Sequence, residues 1–131
     1  CAPALAGGYR APLTPEALAA CPLVSLGRDS TTYALYSTLF QRRGLHFAPD
    51  MEAATTDQIL PMVKSGLGVG LVPDFFAQPA LEAGEVCALA LAEPLPQRQI
   101  CLVRRTDERA AIAAETLARL LAETPQQQAK A

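Results

Sequence analysis

Residues 64–76, KSGLGVGLVPDFF, decide the fold, because glycine at every second position from 66 to 70 admits two opposite interpretations. In a dinucleotide-binding fingerprint a strand precedes the glycines and a helix follows them, so that the phosphates meet the helix N-terminus. Here a helical pattern precedes the glycines and an apolar strand pattern follows, and no Gly-Lys-Ser/Thr completes a P-loop. Gly66 is therefore predicted to end a helix in the left-handed conformation, and Gly68 and Gly70 to let the next turn and strand pack closely against a sheet.

Strand and helix patterns alternate on both sides of this turn. Strands are predicted, in chain order, at residues 22–27, 48–53, 67–73, 85–91 and 98–105. Helices are predicted at residues 15–20, 31–43, 57–66 and 107–122. Pro61 is unfavourable inside the third predicted helix, because proline removes one backbone hydrogen bond. Alternating elements with short loops predict an α/β fold, with a largely parallel sheet flanked by helices.

Each predicted helix follows residues that commonly cap helices. The candidate caps are Thr14, Ser30 or Thr31, Thr55 or Thr56, and Thr106 or Asp107. Residues 73–81 are predicted to form a turn, and the segment 1–13 a loop or connection. Because ligands of parallel α/β sheets bind at the carboxyl ends of the strands, the loops of interest are 28–32, 54–57 and 73–76.

The composition narrows the classes of function. A chain of 131 residues suits one domain that buries its own core. Its net charge of -2 leaves no basic face for nucleic acid, so we expect this segment not to bind DNA by itself. No apolar run reaches the roughly 18 residues that would cross a bilayer, and we expect no membrane partner.

The four cysteines are far apart in the sequence and form no metal-binding pattern, since there is neither a CxxC pair nor a neighbouring histidine. They are Cys1, Cys21, Cys87 and Cys101. Cys87 and Cys101 lie in apolar runs, and we interpret all four as reduced packing residues, which favours a reducing compartment. The first residue is Cys1 rather than Met, which indicates a processed end or a fragment boundary, with a lipidated cysteine as the alternative.

Three segments together resemble a known family. QILPMVKSGLGVGLVPDFF (58–76) is similar to the helix, glycine turn and Pro-ended strand of the effector-binding domain of LysR-type transcriptional regulators. PLVSLGRDSTTYALYSTLFQRRGL (22–45) resembles the family's preceding strand, Ser/Thr loop and helix, and LPQRQICLVRRTDERAAIAAETLARLL (95–121) its closing strand and helix. The likeness covers residues 13–121 in the same order and spacing.

The resemblance implies part of a two-lobed domain like those of periplasmic binding proteins. Residues 1–12 would be a crossing segment from a first lobe that is mostly absent, and residues 13–92 the second lobe. Residues 93–124 would return to the first lobe as a strand and C-terminal helix, and residues 125–131 would be a disordered tail. Two crossing strands are expected, in CAPALAGGYR and AEPLPQRQ. DNA would be bound only through a helix-turn-helix N-terminal to this segment, in a cytoplasmic homo-oligomer.

The candidate site lies at the predicted helix starts. Ser30, Thr31 and Thr32 offer hydroxyls and free amides at one helix N-terminus. Thr55 and Thr56 offer them at another, so two helix ends that share one cleft would hold a carboxylate or other small anion. Arg28 would add a bidentate contact. The alternative is that these residues serve only as helix caps.

Other residues are weaker candidates for a functional role. Phe75 and Phe76 are candidates for an aromatic cleft wall, although packing in a satellite core is favoured. His46 is predicted to be a solvated turn residue. The peroxide-sensing members of the family use a cysteine pair in the region that matches residues 27–40, and no cysteine is present there.

The expected function is ligand-gated control of transcription. A small metabolite would bind between two lobes and change DNA binding through an oligomer. We expect no catalytic activity and no cofactor or metal, because no Ser-His-Asp set, paired carboxylates or metal spacing occurs. The alternative is one lobe of an exported solute-binding protein of a transporter.

Overall fold

The computed structural model describes residues 1–10, 12–95, 101–103 and 111–123. The chain divides into two compact units, Cys1–Leu95 and Pro96–Ala131. The elements are α1 (Pro3–Ala6), α2 (Pro15–Ala19), β1 (Leu23–Leu26), α3 (Thr31–Gln41), β2 (Met51–Ala53), α4 (Thr56–Lys64), β3 (Val69–Gly70), α5 (Asp74–Glu82) and α6 (Ile112–Glu123).

The sheet of the first unit has three parallel strands in the order β2-β1-β3. β1 is the central strand: Leu26 pairs with Ala53 of β2, and Leu23 with Val69 of β3. Both neighbours of β1 follow it in the sequence, so helices α3 and α4 provide the crossovers that parallel pairing needs. The predicted α/β fold, with a parallel sheet flanked by helices, is confirmed.

Neighbouring residues of β1 point to opposite faces and so join two separate cores. Leu23 belongs to a cluster with α2 and α3, in which the fully buried Phe47 contacts three aromatic rings. These are Tyr33, Tyr36 and Phe40, whose ring centroids lie 5.1, 5.9 and 5.2 Å from that of Phe47. Val24 belongs to the other cluster, with residues of α4 and α5. The sheet is therefore covered by helices on both faces.

The glycine turn has the mechanical role predicted for it. Gly66 has a φ of 78° and follows the end of α4, where a left-handed residue commonly stops a helix. A Cβ at Gly68 would collide with the carbonyl of Pro22. A Cβ at Gly70 would lie 2.6 Å from Val63 Cγ2, so α4 packs directly on the backbone of β3.

Residues 73–81 do not form the predicted turn, since most of them belong to helix α5. Asp74 supplies an acid in the first turn of α5, and Ala80 is buried against the second core. Two prolines, one at the N-cap position and Pro79 inside the helix, make the segment resemble a turn in sequence. Burial of Ala80 and half-burial of Leu81 stabilise the helix in spite of Pro79.

The prediction of a strand at residues 85–91 is wrong. The segment pairs with the chain's start only locally: Cys87 N donates to Cys1 O (2.8 Å), and Cys1 N donates to Cys87 O (2.9 Å). A single bridge joins Leu13 and Leu91. Neither crossing strand is seen in the described residues. In the first segment Pro3–Ala6 is helical, and in the second no strand is assigned to residues 92–95.

Several predictions fall partly outside the described residues. Of the predicted strand at 98–105 only residues 101–103 are described, and they have no strand assignment. The candidate caps Thr106 and Asp107 and the tail 125–131 lie outside the described residues. All four cysteines are free, as predicted, but Cys101 is exposed rather than packed.

Candidate functional site

Three helix N-termini lie at one edge of the sheet. Each strand of a parallel sheet ends at the same edge, and here β1, β2 and β3 lead directly into α3, α4 and α5. The first two turns are hydrogen-bonded to each other, since Gly27 N donates to Ala53 O at 3.2 Å. The sequence-predicted residues after β1 and those after β2 are therefore neighbours in space.

The start of α3 is a well-formed cap. Ser30 is the N-cap residue, and its Oγ accepts a hydrogen bond from Tyr33 N at 3.0 Å. The Ser30 amide donates to Gly27 O at 3.0 Å, which fixes the turn after β1. Thr31 is exposed at the first helical position, whereas Thr32 is buried. Of these three residues, Thr31 is the one most accessible to a ligand.

The start of α4 is built differently. Thr55 occupies the N-cap position with an extended backbone, but its side chain makes no capping hydrogen bond, and Thr56 is the first helical residue. The prediction that Thr55 or Thr56 caps α4 is confirmed for the position of Thr55, but the side-chain hydrogen bond at this helix start is made by Gln58, whose Oε1 accepts from Ala54 N at 2.9 Å. Thr55 is exposed and its hydroxyl has no hydrogen bond to the described residues.

Arg28 has an acidic neighbour that the sequence did not reveal. Its Nε lies 3.5 Å from Glu52 Oε1, and the Arg28 side chain is 71% exposed. Glu52 is in β2 opposite Ser25 of β1, so parallel pairing brings it to the turn at Gly27. An exposed ion pair of this kind contributes little to stability.

Ser25 is a second residue that sequence reasoning missed. It is 1% exposed in the central strand, and its Oγ is the one fully buried side-chain oxygen or nitrogen without a hydrogen-bond partner among the described residues. A buried hydroxyl usually has such a partner. A serine inside an apolar strand, PLVSLG, is the signal that could have pointed to it.

The first turn of α5, which follows β3, contributes exposed groups to the same edge. Phe75 is 71% exposed, so the expectation that it packs in a satellite core is wrong. Asp74 Oδ1 accepts from Phe75 N at 2.7 Å.

His46 is exposed in the loop after α3, as predicted.

The described residues contain no group of three or more His, Cys, Asp or Glu side chains arranged to hold a metal ion. None of the helices within the described ranges has the length and apolar character needed to span a membrane.

Comparison with known proteins gives one match. The family model described as "LysR substrate binding domain" matches residues 1–126. Neither the curated proteins nor the solved structures gave a match.

Proposed function

The chain belongs to the LysR substrate-binding domain family, and from this premise we propose that it senses a small anionic metabolite for a DNA-binding transcriptional regulator. The observation that supports this proposal most directly is the hydrogen bond from Gly27 N to Ala53 O, which brings the start of α3 next to the start of α4. Two helix N-termini at one edge favour negative charge. The family match favours this function over that of a transporter's solute-binding protein.

In this proposal the effector site consists of the six residues predicted from sequence. Thr55 and Thr31 donate exposed hydroxyls, and Ser30, Thr32 and Thr56 hold the two helix starts in place. Arg28 leaves Glu52 and pairs with the ligand carboxylate, which gives a charge-assisted contact. Glu52 then faces the ligand, and its charge favours a carboxylate that also carries a hydrogen-bond donor, such as a hydroxy acid.

The proposed domain organisation follows the family resemblance. Residues 13–92 would be the second lobe of the effector domain, residues 1–12 a crossing segment and residues 93–124 the return to the first lobe. The metabolite lies between the lobes of the intact protein, and a homo-oligomer in the cytoplasm transmits lobe movement to helix-turn-helix domains. The effector acts only through its different affinity for the two arrangements, typically a coupling of about 1 to 3 kcal/mol.

A titration of the intact protein with small hydroxy acids, simple carboxylates and sulfate tests the proposal. The melting temperature reports binding, and operator affinity reports regulation. A compound that raises the melting temperature and changes operator affinity is expected. The proposal fails if every stabilising compound leaves operator affinity unchanged.

Two arginine variants locate the binding site. Arg28→Gln should weaken the affinity for the active compound about tenfold, as expected from the loss of one charge-assisted contact. Arg42→Gln is the matched control, because Arg42 is exposed at the opposite end of α3. Equal loss in both variants would indicate a general charge effect rather than a contact at this edge.

A further inference from the structure

Cys1 and Cys87 lie opposite each other on two neighbouring segments of the chain. Their backbones exchange both hydrogen bonds, since Cys87 N donates to Cys1 O at 2.8 Å and Cys1 N donates to Cys87 O at 2.9 Å. Directly opposite residues of an antiparallel pair make this exchange, and their Cα atoms lie about 5.5 Å apart. The Cα atoms of disulfide-bonded cysteines lie about 4.4 to 6.8 Å apart, so the two backbones are within bonding range.

The side chains of Cys1 and Cys87 also lie on the same side of the two segments. Directly opposite residues of an antiparallel pair project from one face. Cys1 belongs to the cluster that contains Phe47, and Cys87 packs against that cluster. Both cysteines line a cavity of about 250 Å³ beside β3. This space allows the two thiols to rotate into the geometry of a disulfide without displacing closely packed neighbours.

The other two cysteines are less suited to pairing. Cys21 is buried in the same cluster, but its Sγ donates to Ala17 O at 3.2 Å, and burial raises the pKa of its thiol. Both effects disfavour the thiolate, which is the reactive form. Cys101 is exposed and belongs to the second unit. Cys87 is only half-buried, so a reagent in solution reaches it more readily than the buried Cys1.

We propose that Cys1 and Cys87 form a reversible disulfide when the surrounding thiol pool becomes oxidised, with a small disulfide such as glutathione disulfide as the oxidant. The Cys87 thiolate attacks one sulfur of the oxidant, which forms a mixed disulfide and releases one glutathione thiolate. The Cys1 thiolate then attacks Cys87 Sγ and releases the second. The two cysteines are oxidised, and one glutathione disulfide is reduced to two glutathione thiols that take up the two thiol protons.

The bond closes nearly all of the first unit, Cys1–Leu95, into one covalent ring. A long ring restricts the unfolded chain, so oxidation should raise the melting temperature by roughly 10 °C. In the proposed two-lobed domain the same bond ties together the two segments that run to the first lobe. This regulatory role rests on the proposed function: oxidation should restrain lobe movement and weaken the effect of the metabolite on operator affinity.

Peptide mapping tests the disulfide directly. Trypsin puts each cysteine on its own peptide, because basic residues separate the four in the sequence. The unchanged chain is equilibrated in buffers that range from reduced glutathione to glutathione disulfide, then alkylated and digested without reduction. A linked pair of peptides, 1–10 with 65–98, should dominate in the oxidised buffers and disappear with dithiothreitol. The proposal is overturned if the oxidised chain links Cys21 or Cys101 instead, carries only glutathione adducts, or stays reduced.

Two serine variants connect the bond to stability. Cys87→Ser should lose both the linked peptides and the rise in melting temperature on oxidation. Cys101→Ser is the matched control and should retain both, because Cys101 is exposed. An equal rise in Cys87→Ser would show that the stabilisation does not come from this bond. If Cys87→Ser does not fold, the peptide map of the unchanged chain still decides the proposal.

The regulatory role is tested on the intact protein. Operator affinity is measured with and without the active compound, before and after oxidation, and the effect of the compound should be several-fold smaller after oxidation. Equal effects in the two states, or none in either, overturn this role. An absent effect in the reduced state also contradicts the proposed function, whereas the peptide map decides the disulfide in every case.

Discussion

Ser25 places at the centre of the sheet a hydroxyl that has no hydrogen-bond partner among the described residues, between Val24 and Leu26. Removing it should cost no hydrogen bond, so Ser25→Ala is expected to raise the free energy of unfolding by about 1 kcal/mol. Urea unfolding measures the difference. Ser37→Ala is the control, since Ser37 is half-buried on α3 and accepts only a long bond of 3.4 Å from Gln41. Lower stability of Ser25→Ala would contradict the absence of a partner.

The roles of single residues were predictable where they depend on close neighbours in the sequence. Gly66 ends a helix because the helical pattern stops there, and Ser30 caps α3 because the pattern begins just after it. Glu52 could not be linked to Arg28 in this way. Their contact depends on the register between β1 and β2, which no local pattern specifies.

At the scale of elements, α3 and α4 begin with different caps, so the free energy of unfolding should respond differently when each N-cap residue is replaced by alanine. Ser30→Ala removes a side-chain cap and should cost about 1 kcal/mol of the free energy of unfolding. Thr55→Ala should cost less than about 0.5 kcal/mol, because Gln58 rather than Thr55 makes the side-chain bond at that helix start. Parallel urea titrations of the two variants make the comparison. Equal losses would mean that the Thr55 hydroxyl caps α4 in solution.

Helices with a clear start and one buried face were the most predictable elements. The pattern placed α2, α3 and α4 within a few residues of their observed limits. It failed for α5 because Pro79 is a turn signal, although the buried Ala80 favours a helix there. It failed for residues 85–91 because an apolar run is compatible with a strand, while a ladder also requires a partner strand along its length.

At the scale of the whole molecule, stability should depend on alkaline pH through Cys21. Burial raises the pKa of this thiol, so the folded state retains a proton that the unfolded chain loses. The contribution of the protonated Cys21 thiol to the free energy of unfolding is complete below about pH 8.5, the ordinary pKa of a thiol. It is lost as the pH rises through the higher pKa of the folded state. Melting temperatures between neutral and alkaline pH should fall less in Cys21→Ala than in the unchanged chain. Cys101→Ala is the control because Cys101 is exposed, and an identical slope in all three proteins would refute the prediction.

The unit formed by residues 96–131 should cause self-association of the isolated chain. Leu117 and Leu121 of α6 lie one turn apart on the same side of the helix and are each more than half exposed. An amphipathic helix of this kind needs a partner for its apolar face. Light scattering should show a species larger than a monomer at high concentration.

Two glutamate substitutions test this association. Leu117→Glu should restore a monomer, whereas Arg119→Glu, on the other side of α6 by helical periodicity, should not. A strictly monomeric chain at high concentration would contradict the prediction.

The central position of β1 also has a consequence for synthesis. The residue that pairs with Leu23 on one side, Val69, is added about 45 residues later. At about 5 to 20 residues per second, a ribosome needs several seconds to supply it. During that interval the apolar strand at Leu23–Leu26 has an open edge, which makes the nascent chain a natural client for chaperones that bind short extended apolar segments.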